Sequence, residues 1–170
     1  MRRIFYLLFL PLLFLTSCED FDTWREYNES WIEAKEATLG EDSELEVIET
    51  VVLPSGVLIE KYHNGYGAIP KASEDPSTGL SSYVCVTYSG WLIDGTLFDS
   101  GEESTLALSA VIDGWQYALS TMKQGSHWRI YIPYDMGYGE DGYQSDYGNF
   151  TIPPYSTLIF DIDLVDVLNY

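Results

Sequence analysis

Regular alternation of apolar and polar side chains predicts most of the secondary structure of this chain. In residues 83–92 every second side chain is apolar, beginning with Val84, Val86 and Tyr88. Asp94-Gly95 then predicts a hairpin turn. Similar patterns predict strands over residues 57–62, 105–108, 127–132 and 157–168, and near-helical spacing predicts one internal helix over residues 114–122. A strand-rich chain with one short helix among the strands indicates an α+β fold, an antiparallel sheet with a helix on one face.

Another helix is predicted ahead of the sheet, over residues 23–37. Thr23 and Glu26 have the spacing of a capping box at its start. Apolar side chains then recur along one face, at Trp24, Tyr27, Trp31 and Ala34. Two interpretations are open: a face for dimerisation or partner binding, or a face that packs on the chain's own domain. The second is favoured, because about fifteen residues are few for a self-standing helix.

The first residues have the pattern of an export signal. Arg2 and Arg3 precede an apolar run over residues 4–15, and small residues then lead to Cys18. The run Leu15-Thr16-Ser17-Cys18 resembles a bacterial lipobox, whose cysteine becomes the lipid-modified amino terminus. The alternative is an ordinary signal peptide followed by a chance cysteine.

These features predict three segments. Residues 1–17 are expected to be a lipoprotein signal peptide, residues 18–50 an acidic tether with a short amphipathic helix, and residues 51–170 the main domain. A lipid anchor at Cys18 would hold the protein on a membrane of the cell envelope. The expected location is the outer membrane, facing the periplasm or the surface.

The strongly negative net charge of the chain argues against nucleic acids as partners. The formal net charge is -19, which repels phosphate backbones, so nucleic-acid binding is not expected.

The chain has two cysteines and two histidines, without the spacing of a zinc site or a disulfide framework. Asp141, Asp146 and Asn149 could supply oxygen ligands for calcium, but their spacing does not match an EF-hand loop. No metal and no cofactor are therefore expected.

Several short motifs follow one another along the chain in a characteristic order. They are Tyr88-Ser89-Gly90, Phe98-Asp99-Ser100, Val111-Ile112-Asp113-Gly114-Trp115, Trp128 to Pro133, Tyr138-Gly139, Ile152-Pro153-Pro154 and Leu158 to Asp161. In this order and approximate spacing they resemble the FKBP family of peptidyl-prolyl cis-trans isomerases. The resemblance implies an FKBP-like curved antiparallel β-sheet wrapped around one short α-helix, here preceded by the amino-terminal helix.

The resemblance also implies a pocket for proline-containing polypeptides. Trp115 would form its floor, Val111 and Ile152 its wall, and Ile112 would offer a backbone N–H to a substrate carbonyl. Tyr138 would offer its hydroxyl, and Asp99 would hydrogen-bond the ligand or its neighbours. The full set of site residues expected on this basis is Tyr88, Phe98, Asp99, Val111, Ile112, Trp115, Tyr138 and Phe160.

Departures from the family pattern leave two functions open. Only Gly101 to Ser104 follow the Phe-Asp-Ser motif where a longer loop with a basic residue is common, Leu106 stands where the family often has phenylalanine, and the loop after Gly139 is longer than usual. The first function is prolyl isomerisation of exported proteins. The alternative is an FKBP-like lipoprotein with little isomerase activity that serves as a protein-binding or chaperone module. The oligomeric state is not predicted.

Overall fold

The computed structural model describes residues 19–41, 43–72, 81–144 and 150–168. Within them lie two α-helices, eight strands and two short 3-10 turns. The helices are α1 (Glu19–Ala37) and α2 (Asp113–Leu119), and the 3-10 turns are Leu108–Ala110 and Tyr134–Met136. The strands are β1 (Glu49–Val52), β2 (Leu58–His63), β3 (Tyr83–Leu92), β4 (Leu97–Ala107), β5 (His127–Ile132), β6 (Tyr143–Gln144), β7 (Phe150–Ile152) and β8 (Leu158–Leu168). None of the helices in the described part of the chain is long and apolar enough to cross a membrane.

Six strands form one antiparallel sheet in the order β1-β2-β5-β8-β3-β4, and β6 and β7 form a separate hairpin. The long strand β8 lies between β3 and β5, so Phe160 pairs with Gly90 on one side and with Ile130 on the other. The predicted turn joins β3 to β4, with Gly95 at a φ of 86° that favours glycine.

The inner face of the sheet packs on α2 and forms the core. Alternate residues of β8, from Leu158 to Leu164, are buried there together with Trp115 and Leu119 of α2. Gly114 allows this close packing, because a Cβ at this position would lie 2.5 Å from Ile132 Cγ2. The α+β arrangement predicted from the alternation is confirmed.

The outer face of the sheet is partly covered by α1. Leu58 and Tyr131, which pair across β2 and β5, lie on this face and are buried outside the main core. The Trp31 and Tyr131 rings are 5.9 Å apart. Packing on the chain's own domain, favoured from the length of the helix, is therefore what the structure shows.

The details of α1 differ from the prediction. It begins at Glu19, so Thr23 lies inside the helix and does not cap it. The prediction that Tyr27 and Ala34 share the packed face was wrong, because Tyr27 is 50% exposed and Ala34 is also exposed. The buried residues are instead Asn28 and Lys35, which find polar partners on the domain.

A buried ion pair joins the carboxyl-terminal end of α1 to the sheet. Lys35 Nζ lies 2.9 Å from Glu60 Oε1, with side chains 9% and 0% exposed. Glu60 also accepts hydrogen bonds from the Gly40 N–H and from the hydroxyls of Tyr62 and Tyr131. Burial alone would raise the pKa of the Glu60 carboxyl, but the bonds from Lys35, Gly40 and Tyr131 outweigh it and hold the pKa below its usual value.

The predicted set of strands was incomplete in three places. The structure adds β1, extends β4 through the Gly101-Glu102-Glu103-Ser104 run that was interpreted as a loop, and forms the β6–β7 hairpin after Gly142. Among the described strands β4 pairs only with β3, which makes it an edge strand, and its acidic side chains are exposed. The internal helix is shorter than predicted, because it ends at Leu119.

Candidate functional site

A cavity of about 280 Å³ opens between the inner face of the sheet and α2. Its walls come from β3, β4, β8, α2, the segment that precedes α2 and the loop that follows β5. The lining residues are Tyr88, Asp99, Leu106, Ala110, Val111, Ile112, Trp115, Tyr138 and Phe160. Aromatic and aliphatic side chains predominate, with one carboxylate and two phenol hydroxyls, and a concave apolar site with a few polar groups is typical of a ligand pocket.

Edge-to-face contacts fix the aromatic walls. The Trp115 ring lies 5.1 Å from the Tyr88 ring and 5.2 Å from the Phe160 ring, nearly perpendicular to both. Phe98 packs in the same way against Phe160, at 5.5 Å. Such pairs contribute about 0.5–1.5 kcal/mol each beyond their buried area. The pocket is thus shaped before any ligand enters.

Gly90 makes room for this cluster. It lies in β3 opposite Phe160 of β8 and Asp99 of β4. A Cβ at Gly90 would lie 2.6 Å from Phe160 Cε1 and 2.9 Å from Phe98 Cζ. A side chain at this position would push both rings out of place, so the glycine of the Tyr88-Ser89-Gly90 motif has a steric role.

Tyr88 and Asp99 form the polar edge of the pocket. The Tyr88 hydroxyl donates to Asp99 Oδ2 at 2.9 Å, and the Ser100 N–H donates to Asp99 Oδ1 at 2.8 Å. Burial, followed by the bond to Asp99 and its negative charge, raises the pKa of Tyr88 to about 12. Asp99 is therefore held in place from two sides, while Tyr88 stays a neutral donor.

Backbone groups at the start of α2 complete the wall. The Ile112 carbonyl accepts from the N–H groups of Trp115 and Gln116, and the Val111 carbonyl accepts from the Gln116 side chain at 2.8 Å. The Ile112 N–H has no hydrogen-bond partner among the described residues. A donor without a partner beside an apolar cavity is suited to a ligand carbonyl.

Tyr138 stands at the rim of the pocket. The residue is 36% exposed, and its ring lies 5.8 Å from the ring of Tyr143, at the start of the β6–β7 hairpin. Burial raises the pKa of Tyr138, and the charge of Asp99 raises it further. Its phenol thus stays protonated at neutral pH and can donate a hydrogen bond into the pocket.

The structure brings seven of the eight expected site residues to this cavity, all except Phe98. Phe98 is partly buried behind Phe160 and supports its ring. Ile152 is buried in the core outside the lining. Ala110 and the steric role of Gly90 were missed, because a small residue gives no signal until its neighbours are known. Cys18, Asp146 and Asn149 lie outside the described residues.

A larger cleft of about 600 Å³ lies beside the exposed face of α2. It is lined by Pro70, Lys71, Ala72, Asp113, Gln116, Tyr117, Ser120 and Thr121. Its wall is mostly polar or exposed, and Ala72 directly precedes residues 73–80, which are outside the described ranges. The smaller aromatic cavity is the better candidate site, because its apolar groups converge on one volume.

Sequence comparisons agree with the motifs. The profile of the FKBP-type peptidyl-prolyl cis-trans isomerase family matches residues 75–165. The FKBP-type 22 kDa peptidyl-prolyl cis-trans isomerase of Escherichia coli is 39% identical over 118 residues, covering 67% of this chain and 51% of that protein. The outer membrane protein MIP of Legionella longbeachae is 41% identical over 121 residues, covering 69% of this chain and 46% of that protein. The chain thus matches only about half the length of these two relatives.

Comparison with solved structures gives the same result. The crystal structure of a peptidyl-prolyl cis-trans isomerase from Pseudomonas syringae has a TM-score of 0.70 and 29% identity, and the match covers 87% of this chain and 96% of that one. The family match covers more than half of the sequence, and the fold and the aromatic cavity agree with it. The chain belongs to the FKBP-type peptidyl-prolyl cis-trans isomerase family.

Proposed function

We propose that this protein is a peptidyl-prolyl cis-trans isomerase that acts on proline-containing polypeptides in the cell envelope. The observation that carries the proposal is the cavity between β8 and α2, where the Tyr88, Trp115 and Phe160 rings meet. A proline ring is a compact apolar group that fits such a cavity. The family relationship supports the same activity.

The reaction requires rotation about one bond and no covalent intermediate. The amide C–N bond has partial double-bond character, and its rotation barrier is about 18–20 kcal/mol. The twisted transition state loses conjugation and is less charge-separated than the planar amide. An apolar pocket therefore favours it relative to water. A thousandfold acceleration requires about 4 kcal/mol of differential binding, which an aromatic pocket with one or two hydrogen bonds can supply.

The described groups have distinct roles in this proposal. Trp115 is the floor beneath the proline ring, with Phe160 beside it and Phe98 behind. The Ile112 N–H binds a substrate carbonyl, and the Tyr138 hydroxyl binds another from the rim. Asp99, oriented by Tyr88, forms the polar edge.

The proposal includes the domain boundaries and the location. Residues 1–17 are the signal peptide, residues 18–50 the tether that includes α1, and residues 51–170 the catalytic domain. Cys18 carries the lipid anchor, which holds the protein at the outer membrane on its periplasmic or outer side. The name of the Legionella longbeachae relative, an outer membrane protein, supports an envelope location.

A second function, protein binding with little isomerisation, has one structural observation in its favour. The β6–β7 hairpin places Tyr143, 51% exposed, beside Tyr138 at the rim. An exposed aromatic next to the pocket could hold a polypeptide without accelerating bond rotation.

The test is NMR exchange spectroscopy on a Xaa-Pro peptide mixed with the full chain in mild detergent. Wild-type protein is expected to accelerate exchange, and Tyr138→Ala to lose most of that acceleration. Tyr66→Ala is the matched control, since Tyr66 is 93% exposed and outside the cavity lining. Folded wild-type protein that binds the peptide without accelerating exchange would refute the isomerase and favour the binding module.

A further inference from the structure

The amino-terminal half of α1 is hydrogen-bonded to residues 153–157, the segment that precedes β8. The Thr157 N–H donates to Asn28 Oδ1 at 2.7 Å, and the Trp24 indole N–H donates to Ser156 Oγ at 3.0 Å. Asn28 Nδ2 in turn donates to the Trp24 carbonyl at 2.8 Å. Asn28 is fully buried, as are Ser156 and Thr157. Asn28 therefore holds the backbone of this segment at Thr157, and Trp24 holds the Ser156 side chain.

The segment held in this way has an unfavourable backbone conformation. Tyr155 has a φ of 58°, in the left-handed region that residues other than glycine rarely adopt. Such a residue persists only where its surroundings hold it. Here Ser156 Oγ donates to the Pro153 carbonyl at 2.7 Å, and the Arg25 guanidinium of α1 lies 4.7 Å from the centre of the Tyr155 ring.

Tyr155 is in direct contact with the loop that carries Tyr138. Its N–H donates to the Gly139 carbonyl at 3.0 Å, and the Gly139 N–H donates to the Tyr134 carbonyl at 2.8 Å. The Tyr134 and Tyr155 rings also pack edge to face, at 5.2 Å. Gly139 directly follows Tyr138, so these bonds hold the backbone next to the rim tyrosine.

We infer that Asn28 and Trp24 are positioning residues for the active site, which hold Tyr138 in place through the 153–157 segment. The inference rests on the proposed isomerase function and adds that α1 takes part in catalysis as well as in packing. The path is continuous from α1 through Thr157 and Tyr155 to Gly139. The other end of α1 contacts a different region, through Lys35 and Glu60. The two ends can therefore be tested separately.

The test compares variants at the two ends of α1 in the full chain in mild detergent. Asn28→Ala is expected to lower kcat/KM for a Xaa-Pro peptide about fivefold, a typical size for coupling between connected residues. Lys35→Met is the control, since it loosens α1 far from the 153–157 segment and is expected to leave kcat/KM unchanged. All rates are measured at a temperature where both variants are folded.

Two further readouts separate positioning from loss of stability. The amide resonance of Gly139 is expected to shift in Asn28→Ala and to stay in place in Lys35→Met. In the double variant Asn28→Ala/Tyr138→Phe, kcat/KM should fall by less than the product of the two single-variant reductions. Once the Tyr138 hydroxyl is removed, displacing the residue has little further effect on the rate.

Clear outcomes would overturn the inference. Equal losses of kcat/KM in Asn28→Ala and Lys35→Met would show a general effect of loosening α1. Unchanged kcat/KM with an unchanged Gly139 resonance would show no coupling. If Asn28→Ala does not fold, Trp24→Phe decides by the same criteria, because it removes the indole N–H donor and keeps an aromatic ring. A wild-type protein without activity would refute the proposed function, while the Gly139 resonance would still test the coupling.

Discussion

Replacing Lys35 with methionine tests how strongly α1 is held to the domain. In the wild-type protein Lys35 Nζ lies 2.9 Å from Glu60 Oε1, and both side chains are buried. The methionine keeps an apolar stem of similar length, so the packing of the helix changes little. The charge of Glu60 then remains buried with only the donors from Gly40, Tyr62 and Tyr131.

Lys35→Met is expected to lower the free energy of unfolding by a large amount for a single substitution in a helix on the protein surface. Removing one partner of a buried ion pair costs about 3–5 kcal/mol, since the other charge is left without compensation. The three remaining donors to Glu60 place the expected loss near the lower end, about 3 kcal/mol. The control is Glu29→Gln, which breaks the Arg25–Glu29 pair on the same helix, where both side chains are 41% exposed. That change should cost much less, because both charges of this pair are exposed to solvent.

The pH dependence gives a second, independent signature. The folded protein holds the pKa of Glu60 below its ordinary 4.5, so the unfolded chain binds the proton first as the pH falls. The stability from this group is therefore present above pH 4.5 and is lost below it. In Lys35→Met burial dominates and raises the pKa of Glu60, so the variant gains stability on acidification. Its deficit should be largest at neutral pH.

The assay is urea unfolding followed by tryptophan fluorescence, at neutral pH and near pH 4.5, the ordinary pKa of Glu60. The free energy of unfolding comes from linear extrapolation. A deficit for Lys35→Met below about 1 kcal/mol at neutral pH, close to that of an exposed pair, would refute the reasoning. So would a deficit that grows as the pH falls.

Three further predictions concern the pocket. Gly90→Ala should lower the free energy of unfolding by about 1–3 kcal/mol, because the new methyl group overlaps Phe160 and Phe98, and an unchanged urea midpoint would contradict this. Tyr88→Phe should lower the free energy of unfolding by about 1 kcal/mol, because it removes the hydrogen bond to Asp99. An unchanged free energy of unfolding in urea would show that this bond does not stabilise the protein. Burial raises the pKa of Tyr88 to about 12 and also raises the pKa of Tyr138, so kcat/KM should stay constant from about pH 7 to pH 10. A pH–rate profile that falls within that range would contradict the assignment of these two tyrosines as neutral donors.

The inner face of the sheet could be predicted from the sequence, because its side chains follow a simple rule. Apolar residues of β8 and β5 alternate with polar ones, and this fixes both the strands and the buried face. The motif order then placed Trp115 and Phe160 in one pocket. Gly90 and Ala110 escaped prediction, since their role depends on neighbours that are remote in sequence.

The packed face of α1 could not be predicted from hydrophobicity. Asn28 and Lys35 are polar residues that sequence reasoning places in solvent, yet both are buried. Each is stabilised by a partner far along the chain, Thr157 or Glu60, and such pairs carry no local pattern. Tyr27, which completes the apolar spacing, stays half exposed.

Two ion pairs lie on the outer face of the sheet, whereas Asp99 is the one charged side chain among the described residues that line the pocket on the inner face. The chain has only 8 basic residues against 27 acidic ones, and two of the basic residues, Lys35 and Arg129, form ion pairs on the outer face with Glu60 and Asp161. No basic residue is found among the described residues that line the pocket. A cation there would stabilise the charge-separated planar amide and so oppose its rotation. The outer face can use charge to hold α1 in place, while the inner face keeps the apolar surroundings that the twisted amide requires.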